Sequence, residues 1–485
     1  MQTMETDMAS VQTPITSSPC PMAMSDPLPL VEVVREATGD NVFKCYQCVK
    51  CTSGCPLADQ FDLTPNQIMR SVQLNDISVL QSKSIWLCAS CYTCATRCPQ
   101  KIDVTGVIDA LRIEALKRGV KPAEPEIAKF NQLFMRSVKI FGRVYELGFM
   151  ASFNMALGRP FRDLKLGKRM FARGKLSILP HFGKATAKAN RLPYNPKAIG
   201  YYPGCSLSSS AIEYGKSVKN IASAMDIELI EPENWSCCGS SPAHATDAKA
   251  ANVLPMSTVA TIEQMGLDTV TSPCSACYSR LRHAEHSVSN NEKVSREVRD
   301  ELGYEYQGSV KVQHLVDVIV DRVGLDQVSE RVTNPLKGLK LACYYGCLIT
   351  RPSAITGADN PEYPQKMDRL VKTLGAETVD WSRKTECCGG SLGINKTEVA
   401  VKMMARIMDD ARACGAEAIV TMCPICHLNL DSRQSAMGYS ESEVIPIFQA
   451  TQLMSLAFGQ GEDKAAIRNN LTDPKPYLRQ KGVLP

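Results

Sequence analysis

The sequence predicts an α+β multidomain protein: a helical N-terminal unit followed by two duplicated α/β cysteine-rich units. Three observations predict it. Between residues 40 and 119, two cysteine runs of identical spacing flank a stretch of helical periodicity. From residue 199 onward, three short cysteine-bearing strings occur and then recur in the same order, as in a duplicated unit. Around these strings, short β-branched runs alternate with longer helical runs, the pattern of a parallel sheet with crossover helices.

Composition narrows the chemistry. The 485 residues are 44% hydrophobic and 22% charged, which excludes fibrous, collagenous and disordered chains. A net charge of +5 is too mild to indicate a nucleic-acid partner. Cysteine is the outlier, with 21 residues. A secreted disulfide scaffold would be short and would start with a signal peptide, whereas the first Lys or Arg here is Arg35. Neither a secretory signal nor a mitochondrial transit peptide is expected in Met1–Pro29, and no run is apolar enough for a transmembrane segment. Patterned thiols in a cytoplasmic protein, free or peripheral to a membrane, read as metal ligands.

In chain order, residues 1–39 are expected to be a disordered tail, rich in Met, Ser, Thr and Pro up to residue 28, with Cys20 an incidental thiol. Residues 40–119 form the first unit. A helix starts at Thr64 and Pro65 and presents Ile68 and Val72; another follows Asp103, presents Val104, Ile108, Leu111 and Ala115, and ends at Lys117-Arg118-Gly119. Residues 120–198 read as a basic helical linker. From Arg159 to Lys197, eleven cations face one acid, Asp163, so the segment is either a solvated linker or a docking surface for an acidic partner or an anionic substrate. The first cysteine-rich unit spans 199–330, with strands expected at Ala198–Tyr202, Ile227–Ile230 and Asp268–Thr271. The second spans 331–460, with strands at Leu339–Tyr344, Glu377–Val379 and Ala416–Thr421. Residues 461–485 are expected to be a C-terminal tail.

The first unit carries Cys45, Cys48, Cys51 and Cys55 before Pro56, then Cys88, Cys91, Cys94 and Cys98 before Pro99. This run is that of two-cluster ferredoxins, in which the fourth cysteine of each run serves the other cluster. By that rule Cys45, Cys48, Cys51 and Cys98 hold one 4Fe-4S cubane, and Cys88, Cys91, Cys94 and Cys55 hold the second. Paired zinc sites are the alternative, disfavoured by the doubled run and its trailing prolines. Each later copy offers five thiols: Cys205, Cys237, Cys238, Cys274 and Cys277, then Cys347, Cys387, Cys388, Cys423 and Cys426. A cubane needs four, so either one thiol is spare and reactive or the cluster is not a cubane. The groups follow strands and open helices, where α/β sheets bind ligands.

Residues 40–118 resemble the C-type component of heterodisulfide reductase, including Ser84-Ile-Trp-Leu-Cys88 and Cys91-Tyr-Thr-Cys94. Residues 199–455 resemble its B-type component, whose hallmark is two motifs of Cys, Cys-Cys-Gly and Cys-x-x-Cys. The resemblance implies a natural C–B fusion in which each five-cysteine set binds a noncubane 4Fe-4S cluster and a disulfide is cleaved between the two. It also implies a flavin-containing partner of the A type, with a hydrogenase or formate dehydrogenase behind it. No Gly-x-Gly-x-x-Gly or Walker-type loop occurs, so no flavin, nicotinamide or nucleotide site is expected in the chain itself. The expected function is an iron–sulfur oxidoreductase subunit that reduces a disulfide to two thiols, or runs in reverse. The rival is a pure electron-transfer subunit of a flavin dehydrogenase or quinone-linked complex, as in glycolate oxidase and anaerobic glycerol-3-phosphate dehydrogenase, whose iron–sulfur subunits share this general plan. A third reading is a membrane-surface adaptor using residues 159–197.

Five further residues stand out. Cys343 and Cys414 are expected in the core. His314 is expected to open an apolar helix, and His427 to be structural. Arg351 is placed either to bind an anionic substrate or to offset cluster charge. None is assigned a catalytic role.

Overall fold

Both helices expected of the N-terminal unit are present, at Pro65–Gln73 and Val104–Lys117, in the computed structural model, which describes residues 27–485. The Thr64 amide donates to Gln67 Oε1 at 2.8 Å, and Asp103 Oδ1 accepts from the Gly106 amide at 3.0 Å, so each helix start is capped by the residue the sequence offers. Ile68, Val72, Val107, Ile108 and Leu111 are buried in the core of this unit.

The expected tail is shorter than residues 1–39. Leu30–Thr38 is a helix that buries Leu30 and Val34 in the same core, and Cys20 lies outside the described residues. The helix is legible only through its amphipathic spacing, because Pro29 offers no side-chain cap.

Asp62 fixes the approach to the second cysteine run. Its carboxylate accepts from Ser82 Oγ (2.6 Å), the Lys83 amide (2.9 Å), the Ser84 amide (3.1 Å) and Ser84 Oγ (2.5 Å). Desolvation pushes its pKa up, but the hydrogen bonds from Ser82 and Ser84 outweigh it and hold the carboxyl well below the usual carboxylate range. A depressed folded-state pKa contributes stability above the unfolded value and loses it as pH falls. Asp62→Ala is expected to cost about 1–2 kcal/mol at neutral pH. The deficit should shrink as pH drops below about 4, as read by thermal unfolding of variant against parent.

Each cysteine-rich unit holds a four-stranded parallel sheet rather than the three strands expected per copy. In the first, β1 (Ala198–Tyr201), β2 (Glu228–Ile230), β3 (Thr269–Ser272) and β4 (Lys311–His314) lie in the order β2-β1-β3-β4. In the second, β5 (Lys340–Tyr344), β6 (Glu377–Thr378), β7 (Ala418–Thr421) and β8 (Ile447–Gln449) lie in the order β6-β5-β7-β8. The equivalent positions confirm the duplication. The unexpected strands β4 and β8 are three or four residues long and run straight into helices, so periodicity alone assigns them to the helix start. Residues of β1, β3 and β7 are buried throughout, as central parallel strands require.

The two copies share one apolar core. Tyr201, Val218 and Ile319 of the first pack in the same cluster as Leu341, Val420, Phe448 and Leu453 of the second. The second copy also shares a core with the N-terminal unit, through Ala400, Met404 and Ile407.

The C-terminal residues are not a free tail. Leu478 and Val483 are buried in the shared core, and the Leu471 and Thr472 amides donate to Asp431 at 2.7 and 2.8 Å. Residues 120–198 begin with the helices Pro125–Phe141, Glu146–Ala156 and Leu164–Ala172, whose Phe130, Phe149 and Phe153 form a separate small core. Beyond them the chain runs as a strap. Ser177 donates its amide to Ser209 Oγ (3.2 Å), Lys184 to the Asn234 carbonyl (3.0 Å), and Leu192 to the Met265 carbonyl (3.0 Å).

Candidate functional site

The two N-terminal cysteine loops share one backbone trick. Gln47 and Val49 in the first, and Ser90 and Tyr92 in the second, adopt left-handed φ between 50° and 65°. Non-glycine residues take this conformation at a cost, and such strain concentrates where a loop must curl around a ligand. One-turn helices follow at Lys50–Ser53 and Thr93–Thr96, carrying Cys51 and Cys94.

The loops bring the cysteines together in a crossed arrangement. Cys55, Cys88, Cys91 and Cys94 line one small cavity. Burial first, then Cys91 and Cys88, push the Cys55 thiol up. Cys98 lies with the other run: desolvation, then Cys48, Cys98 and Cys45, raise the pKa of the Tyr46 phenol. Cys48 is exposed, so this first set lies at the surface. The buried Arg112 backs the second loop, donating to the Cys88 carbonyl (2.6 Å), the Ile85 carbonyl and Asp109 (2.8 Å).

The ten later cysteines form two matching sets. In the first, Cys238 and Cys277 sulfurs are 3.5 Å apart, and the Gly239 amide donates to Cys237 Sγ at 3.4 Å. In the second, Cys388 and Cys426 are 3.7 Å apart, and the Gly389 amide donates to Cys387 Sγ at 3.3 Å. Cys205 sits beside Cys237, and Cys347 beside Cys387. Neighbouring thiols and burial push Cys237, Cys277 and Cys426 well up. Such a set ionises together only around positive charge, and soft thiolate donors select iron–sulfur clusters, zinc or copper(I). Among the described residues no three metal-binding side chains converge at single-ion spacing, while within each set pairs of thiols lie against one another.

The glycine preceding each set's first cysteine makes the same point. Gly204 and Gly346 have φ of 75° and 69°, and an added Cβ would come within 2.7 Å of Cys277 Sγ and 2.9 Å of Cys426 Sγ. Gly346→Ala is expected to displace Cys426 and lower the iron content by about four per chain. The spectra of the N-terminal clusters should be unchanged, as checked by iron analysis and electron paramagnetic resonance (EPR).

The sets are linked. Cys91 of the inner N-terminal set is adjacent to Cys387 of the second copy. Tyr92 accepts from Arg280 of the first copy at 2.8 Å and packs on His283 at 4.8 Å. Between the copies, Cys274 is adjacent to Cys423. Tyr214 borders both of these cysteines and Tyr201. On the strands and helices that lead to these two cysteines, the hydroxyls of Tyr201, Tyr214, Thr271 and Thr421, Glu213 Oε1 and His427 Nδ1 are buried with no hydrogen-bond partner among the described residues.

The remaining residues sort themselves. Arg351 is buried and donates to Thr93 Oγ1 (2.8 Å), the Thr385 carbonyl (2.9 Å) and Glu362 (3.2 Å), tying the N-terminal loop to the second copy. His314 ends β4, accepts from the Val316 amide at 3.2 Å, and is kept neutral by burial, with its pKa pushed down to about 4. His427 lies with Nε2 3.0 Å from the Ile447 carbonyl and Nδ1 3.5 Å from Glu213. Cys343 is buried, facing the shared core. Cys414 is exposed at the end of Thr397–Ala413, contrary to the core expectation, because the helix stops one residue before it and Gly415 turns the chain outward. Tyr201 stands in the string Tyr201-Tyr-Pro-Gly-Cys205, which recurs as Tyr344-Tyr-Gly-Cys347, whereas sequence reasoning passed over Tyr214 and Glu213, to which no spacing rule points.

Comparisons with known proteins agree with this layout. Residues 199–282 and 341–431 match the cysteine-rich domain family, and residues 44–103 match a 4Fe-4S dicluster domain. The chain is 33% identical over 286 residues to the 8-methylmenaquinol:fumarate reductase membrane anchor subunit of Wolinella succinogenes, covering 57% of this chain and 98% of that protein. It is 28% identical over 288 residues to the B-type component of the ferredoxin/F420H2-dependent CoB-CoM heterodisulfide reductase of Methanosarcina acetivorans (58% of this chain, 95% of that one). The C-type component of the ferredoxin:CoB-CoM heterodisulfide reductase of the same organism is 41% identical over 88 residues, 18% of this chain and 36% of that one.

Proposed function

We propose, on the premise that this chain belongs to the heterodisulfide reductase-related family of cysteine-rich iron–sulfur subunits, that it relays electrons to the gap between Cys274 and Cys423 and there reduces a disulfide to two thiols, or runs the reverse. Its coarser activity follows from the family: it is an iron–sulfur electron-transfer subunit of an oxidoreductase, joining C-type and B-type parts in one chain.

The donor sets fit four clusters. Cys45, Cys48, Cys51 and Cys98 would hold an outer 4Fe-4S cubane, and Cys55, Cys88, Cys91 and Cys94 an inner one. Each five-cysteine set would hold a noncubane 4Fe-4S cluster. Bound clusters supply one-electron chemistry at each set. The exposed Cys48 puts the entry point at the surface, where a flavin-containing A-type partner, fed by a hydrogenase or formate dehydrogenase, would dock. This many free thiols suits a reducing, cytoplasmic compartment.

The chain's own residues shape the gap. Burial, then Cys423, keeps the Tyr214 proton on its oxygen, so the phenol remains a hydrogen-bond donor near the two cysteines. Tyr201 is held protonated by burial in the same way. Two hydroxyl donors there can orient the sulfurs of a small disulfide. The shared apolar core on one side excludes bulk water. Disulfide reduction consumes two electrons and two protons, and two facing one-electron sets supply the electrons without releasing a free thiyl radical. The observation that carries this reading is the adjacency of the buried Cys274 and Cys423, one from each copy, with the unpartnered Tyr214 hydroxyl near both.

The test is iron and acid-labile sulfide content of anaerobically purified protein, with EPR during stepwise oxidation and thiol addition. About sixteen irons per chain and a thiol-dependent signal are expected. About eight irons with no thiol response would sink the disulfide reading.

A second reading has one observation in its favour, the likeness to a subunit of a menaquinol:fumarate reductase. On that reading the chain passes electrons to or from a quinol-linked partner without disulfide chemistry. Disulfide reduction by the parent that is lost in Cys387→Ala with intact N-terminal clusters supports the first, whereas a parent that exchanges electrons with a quinol and reduces no disulfide supports the second.

A further inference from the structure

Electron transfer leaves the basic segment 159–197 unused, and the structure sorts its side chains into two faces. The inward face takes up the acid and several cations. Asp163, the segment's one acid, pairs with Arg433 at 2.6 Å. Arg169 and Arg173 donate to the Leu471 carbonyl (3.1 Å) and the Arg468 carbonyl (2.7 Å), and Lys175 is buried on Glu213. The outward face keeps Lys165, Lys168, Lys184 and Lys188 exposed, with no acid among them. Interleaved with these lysines in sequence are Phe161, Leu164, Phe171, Leu179 and Phe182, at 77, 50, 61, 75 and 68% exposure. The helix Leu164–Ala172 buries none of its residues.

This exposure is held in place. Phe182 packs edge-on against Phe141 at 5.8 Å, the Gly183 amide donates to the Phe141 carbonyl at 2.8 Å, and Tyr145 Oη donates to the Ile178 carbonyl at 2.6 Å. A soluble surface scatters large apolar side chains singly, and a gathered group marks an interaction face. Interleaved lysines decide its kind. Lysine is depleted in protein–protein interfaces. At a bilayer surface, Phe and Leu enter the acyl boundary while Lys stems lie along apolar area and their ammonium groups meet lipid phosphates.

We propose that this face docks the chain onto the surface of an anionic lipid bilayer. Phe161, Leu164, Phe171, Leu179 and Phe182 enter the interface, and the four lysines meet the headgroups. Docking is peripheral, because no described helix is long and apolar enough to cross a membrane. The segment lies outside the residues matched by either family profile, so the property belongs to this connector rather than to the cluster-binding units.

The test is sedimentation of the cluster-loaded full chain with vesicles of phosphatidylcholine alone or mixed with phosphatidylglycerol. Binding to the mixed vesicles at low ionic strength, reversed by salt, is expected. Lys165→Glu with Lys168→Glu should weaken partitioning at least about thirtyfold. Leu179→Ser with Phe182→Ser should abolish it. Unchanged iron content and thermal midpoint show that each variant is folded. No binding to phosphatidylglycerol vesicles overturns the proposal, as does binding that both folded double variants retain. Retention only on an acidic protein partner, never on lipid alone, overturns it in favour of a protein dock.

Discussion

Cys55→Ser is expected to remove the inner N-terminal cluster and spare the outer one, although Cys55 belongs by sequence to the outer run. Its thiol lines the cavity with Cys88, Cys91 and Cys94. Cys98→Ser should do the opposite, since the crossed assignment gives Cys98 to the set of Cys45, Cys48 and Cys51. Each variant should lose about four irons. Their consequences differ because of position. The inner set is adjacent to the C-terminal half, through Cys91 and Cys387, so Cys55→Ser should leave the outer cluster reducible while the C-terminal centres stay oxidised on the same timescale. Cys98→Ser should instead slow entry at the exposed Cys48 end and leave the inner set in contact with Cys387. Iron analysis, EPR and stopped-flow reduction read all three quantities. If Cys55→Ser extinguished the outer signal, the crossed assignment would be wrong.

The two loops were legible because cysteine spacing is a local code: a run with a trailing proline fixes its own loop, and a repeat at the same spacing declares a second loop. The duplication was legible for the same reason, since each motif occupies the same place in its sheet. What escaped the sequence was set by contacts between distant segments. Leu30–Thr38 carries no cap and is held by the core it joins. Strands β4 and β8 exist because β3 and β7 offer them open edges: Thr269–Ser272 pairs with Lys311–His314, and Ile419–Thr421 with Ile447–Gln449. The role of Arg351 depends on Thr93, which lies 258 positions away. The adjacency of Cys274 and Cys423 depends on packing the two copies together, and neither copy shows it alone. The charge of 159–197 was visible, but not its division into an inward, paired face and an outward, apolar one.

Lys175→Ala is expected to be among the most destabilising single changes in the chain. Lys175 and Glu213 are both fully buried and pair with each other, and Glu213 Oε1 faces only His427 Nδ1 at 3.5 Å. Removing the lysine leaves a carboxylate in the interior without its counter-charge, a loss of about 3–5 kcal/mol. Lys175→Met combined with Glu213→Leu should recover most of the loss, because a packed apolar pair replaces a buried ion pair at little cost. Urea midpoints of the three proteins measure this. An equal deficit in single and double variants would mean that Lys175 stabilises by packing rather than charge. Since Lys175 also fastens the strap to the first copy, loosening it should release the apolar face of 159–197 from its fixed backbone. Lipid binding by Lys175→Ala should then become less sharply dependent on Leu179 and Phe182, which separates a preformed docking face from one that merely exposes greasy side chains.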